Sequence, residues 1–380
     1  MRIGIGIDTG GTYTDAVIYD FDTKKILSSA KSLTTKEDLA VGIGNALDEL
    51  PALVLQDAAI VSLSTTLATN ACVEEKGGRG KLIFIGADED VVVRTGQSYG
   101  LPLAQEIYFL DGEVNLMGDV VREPDWHVFL EDSKDWISDA DAIAVVQQLG
   151  IRNSETERKV KELISKEYEL DVICGYELFS DLNYIKRGAS TLLNARLIPV
   201  IDEFLKAIKL SLEKRKIYAP VVIVRSDGSL MSESFTTVRP VETLLCGPAA
   251  SVMGGVELTG EEDCLIVDMG GTTTDMAIVR NGVPVKAKDG VNVGKWQTFV
   301  KAVYIDTFGL GGDSSIRMDR QGSLVLGSSR VVPLSILADR WPIVVEKLKA
   351  LVKSRMKSVN PLHEFFYLVK EIGSNAKYTA

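Results

Sequence analysis

The stretch that decides the fold lies near the start of the chain, where residues 7–18 read IDTGGTYTDAVI. Residues 267–278 read VDMGGTTTDMAI, so Asp, Gly, Gly, Thr, Thr, Asp and Ile recur at the same offsets 260 positions further on. In both copies an apolar run precedes the glycines and a β-rich run follows them, which is typical of a hairpin with a Gly-Gly turn that leads to a third strand. This duplication predicts an α/β fold of two lobes, each headed by one hairpin.

Composition places the chain among ordinary globular proteins. Its 380 residues are 46% hydrophobic and 25% charged, which suits two domains with sizeable cores. The net charge of −11, from 42 Lys+Arg and 53 Asp+Glu, argues against nucleic-acid binding, because phosphate-backbone binding needs clustered Lys and Arg. Binding of a nucleotide remains open, because it needs only local positive potential from backbone amides or a metal ion.

Cysteine and histidine are too scattered for a zinc or iron–sulfur centre, and we interpret the cysteines as reduced thiols. They are Cys72, Cys174, Cys246, Cys264, His127 and His363. The N-terminal sequence runs into the first motif without a signal peptide, and no apolar run is long enough to span a bilayer. We therefore expect a cytoplasmic protein with no membrane contact.

The repeated Asp-x-Gly-Gly-Thr motif has the chemistry of a phosphate site. Its glycines let an anion approach backbone N–H groups, and its threonine hydroxyls add hydrogen-bond donors. Asp8 and Asp268 stand at predicted strand ends, where a carboxylate can hold Mg²⁺ or orient an attacking oxygen, so we predict both as catalytic and metal-binding residues. The residues predicted to bind the phosphates are Gly10, Gly11, Thr12, Thr14, Gly270, Gly271, Thr272 and Thr273.

A third glycine-rich segment, at residues 308–315, reads FGLGGDSS and follows a strand-like run. Such a loop suits the close passage of a nucleoside, and a plain β-turn is the alternative interpretation. The residues predicted to contact the nucleoside are Gly309, Gly311, Gly312 and Asp313.

These three segments resemble the two phosphate motifs and the adenosine motif of the actin/Hsp70/sugar-kinase ATPase superfamily. More narrowly, the chain resembles the hydantoinase/5-oxoprolinase family, including hydantoin utilisation protein A-like proteins and the related subunit of acetone-type carboxylases. The narrower resemblance extends over roughly residues 1–325 and rests also on STTLATNA at 64–71, TLLNARLIP at 191–199 and RPVETLLCGPAA at 239–250. Leu63-Ser64 stand where that family usually has His-Gly, and Asp313 replaces its third glycine.

The resemblance implies a duplicated, two-lobed actin-like ATPase (ribonuclease H-like) fold with a nucleotide cleft between the lobes. We expect residues 1–180 to form the first lobe and residues 181–380 the second, with a basic helix at about 342–357 packing back on the first lobe. It also implies an ATP-dependent hydrolase, or the ATPase subunit of one, that phosphorylates the carbonyl of a hydantoin or 5-oxoproline type of cyclic amide. ATP and Mg²⁺ would be its cofactors, and its partners would be a small-molecule substrate and a second hydrolase or carboxylase subunit.

Other interpretations stay open. The chain could be a small-molecule kinase of the same superfamily, an ATPase that turns over only with a partner protein, or a non-catalytic nucleotide-binding protein. The segment Thr65–Asn70 is either a substrate contact or a helix N-terminus, and Cys246 lacks a neighbouring histidine that would activate it as a nucleophile. Locally, we predict a capping box at Ser154–Glu157, and a long helix over 185–216 that Pro199 breaks or kinks.

Overall fold

The computed structural model describes residues 2–11, 13–35 and 38–354. Its strands are β1 (Ile3–Thr9), β2 (Tyr13–Asp20), β3 (Lys25–Leu33), β4 (Ala58–Thr65), β5 (Gly80–Ile85), β6 (Tyr108–Leu110), β7 (Glu113–Val114), β8 (Val120–Arg122), β9 (Ala142–Gln147), β10 (Asp171–Cys174), β11 (Val221–Val224), β12 (Leu230–Ser232), β13 (Cys264–Met269), β14 (Thr274–Arg280), β15 (Val283–Pro284), β16 (Asn292–Val293), β17 (Trp296–Gln297), β18 (Ile305–Phe308), β19 (Ser314–Met318) and β20 (Leu324–Arg330).

Helices alternate with these strands. They are α1 (Leu39–Asp48), α2 (Ala52–Gln56), α3 (Leu67–Val73), α4 (Glu89–Thr95), α5 (Trp126–Asp132), α6 (Lys134–Ser138), α7 (Glu155–Glu167), α8 (Gly175–Leu178), α9 (Tyr184–Lys214), α10 (Glu233–Val238), α11 (Cys246–Thr259), α12 (Leu334–Arg340) and α13 (Pro342–Ser354). Within the described ranges, no helix is both long and apolar enough to cross a membrane.

The described residues divide into two compact units. The large unit comprises the residues up to Gly260 together with Pro284–Tyr304, and the small unit comprises Glu261–Val283 and the described residues from Ile305 on. The predicted lobes, 1–180 and 181–380, stay a prediction, as does the packing of the C-terminal helix on the first lobe. That helix exists as α13, and the end of its predicted range, 355–357, lies outside the described residues.

The first sheet of the large unit has the strand order β12-β11-β4-β1-β2-β3. Strands β1, β2 and β3 are antiparallel neighbours, as the first motif predicts, whereas β4 runs parallel to the other edge of β1. Side chains of β1 such as Ile3, Ile5 and Ile7 are buried in the main hydrophobic core. Since the carboxyl ends of β1 and β4 lie side by side, the residues that follow both strands meet at one edge of the sheet.

A second sheet of the large unit is wholly parallel, with the order β10-β9-β5-β6. Every residue of β9 is buried, which suits a parallel strand that is covered on both faces. Alternate residues of β5 face two clusters: Leu82 and Phe84 join the main core, and Ile83 and Ile85 pack with Phe129. Helix α9 packs on β5 and β9 and also on α1 and α3, and so connects the two sheets.

One local prediction is wrong and another is wrong in part. Helix α9 continues through Pro199 without a break and is buried along most of its length, and the alternative of a kink at Pro199 stays a prediction. At the start of α7 no capping box forms: the side chain of Ser154 caps no backbone N–H, and Glu157 turns inward to accept from Gln147 N–H at 2.8 Å.

The small unit is built on the second hairpin. Strands β13 and β14 pair antiparallel, and the short strand β15, directly after the turn, neighbours β14 as the predicted third strand. Strand β18 also pairs antiparallel with β14. It is remote in sequence, because the chain enters the large unit over Pro284–Tyr304 before it. The hairpin of β19 and β20 and the helices α12 and α13 complete the described part of this unit.

Candidate functional site

The two copies of the repeat form the same turn. In the large unit Asp8 lies opposite Asp15 across the hairpin, and Gly10 N–H donates to the Tyr13 carbonyl at 2.9 Å. In the small unit Asp268 lies opposite Asp275, and Gly270 N–H donates to the Thr273 carbonyl at 2.8 Å. The duplication seen in the sequence is therefore a duplication of hydrogen bonding and strand register.

The first turn leaves its glycine backbone accessible. Gly11 is exposed and Gly10 is half-buried, and a Cβ on Gly10 would lie 3.0 Å from the Tyr13 carbonyl oxygen. Thr14 is fully buried, and its hydroxyl lies 3.0 Å from the Thr34 hydroxyl, which also donates to the Gly10 carbonyl at 2.9 Å. Thr14 and Thr34 thus brace the turn from beneath. Thr12 lies outside the described residues.

Asp8 stands where three elements converge in the large unit. The hydroxyl of Ser64, at the end of β4, donates to Asp8 Oδ1 at 2.6 Å. A Cβ on Gly247, in the first turn of α11, would lie 3.8 Å from the same oxygen. The carboxylate therefore faces the N-terminal end of a 14-residue helix, where the helix dipole favours negative charge.

The start of α11 is held by two contacts to the neighbouring segment. Leu245, in the left-handed conformation with φ 57°, donates its N–H to the hydroxyl of Thr69 at 3.0 Å. Cys246 Sγ donates to the Thr65 carbonyl at 3.1 Å and accepts from Thr65 N–H at 3.3 Å. Burial raises the pKa of the Cys246 thiol to about 12, so this cysteine acts as a structural contact and stays protonated.

The segment Thr65–Asn70 forms the entry to α3. Thr66 is the N-cap residue, and its side chain accepts from Asn70 Nδ2 at 3.1 Å instead of capping a backbone N–H. A Cβ on Gly11 would lie 3.5 Å from that amide nitrogen, so the side chain of Asn70 borders the first turn. This segment is a helix start, and it also contributes two polar side chains beside the glycines.

The second turn is joined to the third predicted motif within the small unit. Gly312 N–H donates to the Gly270 carbonyl at 3.1 Å, and Asp313 N–H donates to the Gly271 carbonyl at 2.8 Å. A Cβ on Gly311 would lie 2.4 Å from the Gly271 carbonyl oxygen, so only glycine fits there. The structure thus brings two sequence-predicted segments together in one layer.

Charges in this layer are largely paired. Arg330 Nη1 donates to the Thr272 carbonyl and to Asp313 Oδ1, both at 2.8 Å, so the carboxylate of Asp313 braces the loop. Asp275 accepts from the Thr307 hydroxyl at 2.7 Å, as Asp15 in the large unit is paired with Lys31 at 2.7 Å. Asp268 is exposed at the end of β13, and the carbonyl of Thr273 closes the same turn. Gly309 directly follows β18, whose last residue Phe308 pairs with Thr274.

Three contacts of the candidate site escape the sequence argument. Ser64, Thr34 and Arg330 each bind a motif residue that is distant in the chain. Only Ser64 carries a signal, because it departs from the family pattern next to a motif. In the part of the chain that the structure describes, no group of three His, Cys, Asp or Glu side chains is placed to hold a metal ion.

Sequence comparisons match nearly the whole described chain to one family. Residues 4–168 match the hydantoinase/oxoprolinase N-terminal region, and residues 187–338 match the hydantoinase/oxoprolinase domain. The alpha subunit of caprolactamase from Pseudomonas jessenii is 25% identical over 373 residues, which cover 90% of this chain and 52% of that subunit. The gamma subunit of acetophenone carboxylase from Aromatoleum aromaticum is 25% identical over 84% of this chain and 48% of its own length.

Two solved structures have a similar fold. Nucleotide-free acetone carboxylase aligns with a TM-score of 0.70 at 22% identity, over 87% of this chain and 51% of that one. The ATP-dependent caprolactamase of Pseudomonas jessenii aligns with a TM-score of 0.70 at 24% identity, over 85% of this chain and 50% of that one. Both have the actin-like ATPase fold, so the predicted fold is confirmed. The chain spans about half the length of the curated relatives it matches.

Proposed function

Because this chain belongs to the hydantoinase/oxoprolinase family, as its motifs predicted, we propose that it is an ATP-dependent hydrolase of a cyclic amide, or the ATPase part of one. The observation that carries this proposal is the pair of turns with identical register, each with an aspartate two residues before its glycines. The relative named caprolactamase is described as ATP-dependent, and its substrate is a cyclic amide. The binding of one nucleotide by both turns remains a prediction.

In this proposal the turns bind phosphate through their backbone. The N–H groups of Gly10 and Gly270 close the turns, and those of Gly11 and Gly271 would donate to phosphate oxygens without an obstructing side chain. Catalysis of phosphoryl transfer consists largely of positioning and charge neutralisation, which rigid turns of this kind can supply. Thr14, Thr34 and Arg330 hold the turns in shape.

Asp8 or Asp268 would hold Mg²⁺ or orient the attacking oxygen. A magnesium ion typically uses one or two carboxylates and completes its shell with water and phosphate oxygens, so a single aspartate beside each turn fits this metal. Its charge would neutralise that of the phosphates. The hydroxyl of Ser64 donates to Oδ1 of Asp8 and so helps to fix the carboxylate in place.

The proposed reaction has three steps: phosphorylation of the amide, opening of the ring and release of phosphate. The carbonyl oxygen of the amide takes the γ-phosphoryl group and ADP leaves. Water adds to the activated carbonyl carbon, and the ring C–N bond breaks as the nitrogen takes a proton. A second water then releases phosphate from the acyl group. The relatives named above are subunits of larger enzymes, so we propose that the hydrolytic steps involve a partner subunit. Mg²⁺ dependence and a cytoplasmic location remain predictions.

The test is ADP release by the protein with ATP and Mg²⁺, across hydantoin, 5-oxoproline, caprolactam and simple ketones. We expect release to depend on a cyclic amide and to fall at least 100-fold in Asp8→Asn and in Asp268→Asn, because each removes a carboxylate that would hold Mg²⁺ or orient the attacking oxygen. Asp57→Asn is the matched control: Asp57 directly precedes β4, at the end of that strand remote from Ser64. Undiminished turnover in both site variants would contradict the assignment, and a stable phosphorylated product would indicate a kinase instead.

A further inference from the structure

A cavity of about 310 Å³ within the large unit opens beside the first turn. One wall is the backbone of Gly10 and Gly11, and the others come from Thr34, from the first residue of α1, from α3 and from the middle of α9. Its volume is at the lower end of the range of about 300–1,000 Å³ that small-molecule pockets occupy. The cavity belongs to the large unit alone and shares the turn that we propose for phosphate.

Next to the glycines the cavity presents a polar pair. Asn70 Nδ2 donates to Thr66 Oγ1 at 3.1 Å, which leaves the hydroxyl proton of Thr66 free to donate. The side-chain oxygen Oδ1 of Asn70 has no hydrogen-bond partner among the residues that the structure describes, whereas its backbone carbonyl accepts from Glu74 N–H. One donor and one acceptor therefore lie side by side at the turn, which is the pattern that complements the C=O and N–H of an amide.

The opposite walls of the cavity are apolar. Leu39, Leu67, Ala71 and Val200 line it, and Ala71 is almost completely buried. A pocket with mostly hydrophobic lining and a few placed polar groups is the usual form of a small-molecule site. These side chains would contact the methylene groups of a ring while the polar pair contacts its amide.

The charges at the rim select against an anion. Glu74, Lys76 and Glu203 line the mouth, and Lys76 Nζ lies 2.5 Å from Glu74 Oε2. Two carboxylates therefore oppose one ammonium group that is already paired. A ligand carboxylate here would face two carboxylates and one ammonium group, and like charges repel each other even in partly screened surroundings.

We propose that this cavity binds the organic substrate and that the substrate is a small cyclic amide without a charge, rather than one that carries a carboxylate such as 5-oxoproline. The proposal rests on the proposed function, because it places the amide carbonyl beside the turn that would hold the γ-phosphate. Asn70 and Thr66 orient the amide, and the apolar walls set the size of the ring.

The test measures binding directly, without requiring turnover. Saturation-transfer NMR with the full-length protein and a non-hydrolysable ATP analogue gives the affinities for caprolactam, hydantoin and 5-oxoproline. We expect the two neutral amides to bind at least 10-fold more tightly than 5-oxoproline. Asn70→Leu should weaken amide binding at least 10-fold, and Leu39→Ala should shift the preference toward larger rings. In both variants the affinity for the ATP analogue should stay within about twofold.

Val73→Leu is the control, because Val73 is on the same helix as Asn70 but is 62% exposed and outside the cavity. Equal binding of 5-oxoproline, or unchanged amide binding in Asn70→Leu, would overturn the pocket assignment. If the ATP analogue binds and no cyclic amide does, the pocket assignment is wrong and the nucleotide site survives. If the analogue itself does not bind, the proposed function fails and the pocket assignment with it.

Discussion

At the scale of the residue, one hydroxyl group sets the position of the aspartate in the large unit. Ser64 is almost fully buried, and its hydroxyl donates to Asp8 Oδ1 across two parallel strands. A hydrogen bond to a charged acceptor contributes about 1.5–3 kcal/mol. Ser64 does not touch the proposed reacting atoms, so it is a positioning residue.

We predict that Ser64→Ala lowers kcat for ADP release by about 10- to 100-fold with little change in KM for ATP, because the misplaced carboxylate affects the transition state more than nucleotide binding. Steady-state kinetics separate the two constants. Ser62→Ala, two residues earlier on the same strand, is the control. An equal rise in KM with constant kcat would contradict a positioning role.

A second residue-scale prediction concerns Glu157, which is buried beneath the ends of β9 and β10. Burial raises the pKa of its carboxyl to about 7, although backbone N–H groups and Arg187 oppose this shift. A raised pKa in the folded state means that the stability from this group is complete below its ordinary pKa of 4.5 and is lost as the pH rises through 7. Ionisation of Glu157 therefore lowers the free energy of unfolding.

We expect this group to lower the free energy of unfolding by on the order of 1–3 kcal/mol between pH 5 and pH 8. Glu157→Gln removes the titration and should flatten the pH dependence by that amount in urea unfolding. Glu155→Gln, on the exposed side of the same helix, is the control and should leave the slope unchanged. A slope that is identical in all three proteins would show that Glu157 does not titrate in this range.

At the scale of the element, the sequence predicted what local chemistry determines. Both hairpins formed as expected, because a Gly-Gly turn between apolar runs fixes its own geometry. A break at Pro199 and the capping box at Ser154 were wrong, because burial of α9 and of Glu157 outweighs local preference, whereas a kink at Pro199 stays a prediction. The contacts of Thr34 and Arg330 join distant segments, so no local pattern could indicate them.

The contact between the glycine-rich loop and the second turn leads to a stability prediction. Gly311→Ala would place a methyl group 2.4 Å from the Gly271 carbonyl oxygen and 2.5 Å from Thr272 N. Because both neighbours are backbone atoms that cannot move aside, we expect a loss of about 1–3 kcal/mol in stability of the small unit. Differential scanning calorimetry measures it.

Gly312→Ala is the matched control for this substitution. A Cβ at position 312 would have no atom within 4 Å. The unfolding temperature of the Gly312→Ala variant should therefore stay close to that of the unmodified protein. Equal unfolding temperatures for Gly311→Ala and Gly312→Ala would contradict the close packing of the glycine-rich loop against the second turn.

At the scale of the whole molecule, the two units differ in how well they cover their sheets. In the large unit β1 has neighbours on both edges, whereas β13 is an edge strand of its sheet in the part of the chain that is described. Leu265, Val267 and Met269 of β13 are each more than half exposed. An apolar strand with an open edge is a template for pairing with another chain.

We predict that the 380-residue chain by itself self-associates as its concentration rises, and that Leu265→Lys suppresses this, because a charge on an edge strand blocks pairing. Sedimentation velocity over a range of concentrations measures the effect. Leu53→Lys replaces a leucine of the large unit that is 81% exposed on a helix, and serves as control. Self-association that persists in Leu265→Lys and vanishes in Leu53→Lys would locate the contact elsewhere.

The division into units lay beyond the sequence argument for a physical reason. The two hairpins indicated duplication, but the stretch Pro284–Tyr304 belongs to the large unit through contacts with distant residues, such as the hydrogen bond from Val303 N–H to the Ser226 carbonyl. Its composition gives no sign of these contacts. The family resemblance supplied the fold because it draws on motifs from the whole chain. Lobe boundaries depend on packing, which motifs do not encode.

That stretch has a consequence for anyone who wishes to dissect the protein. The polypeptide passes from one unit to the other three times, after Gly260, after Val283 and after Tyr304. Cleavage of a single peptide bond therefore cannot release either unit intact. A gene fragment that begins or ends at one of these junctions would contain one complete segment and only part of the other unit. The path of the backbone links the two units covalently at three places, so we expect neither to be obtained alone as one continuous fragment.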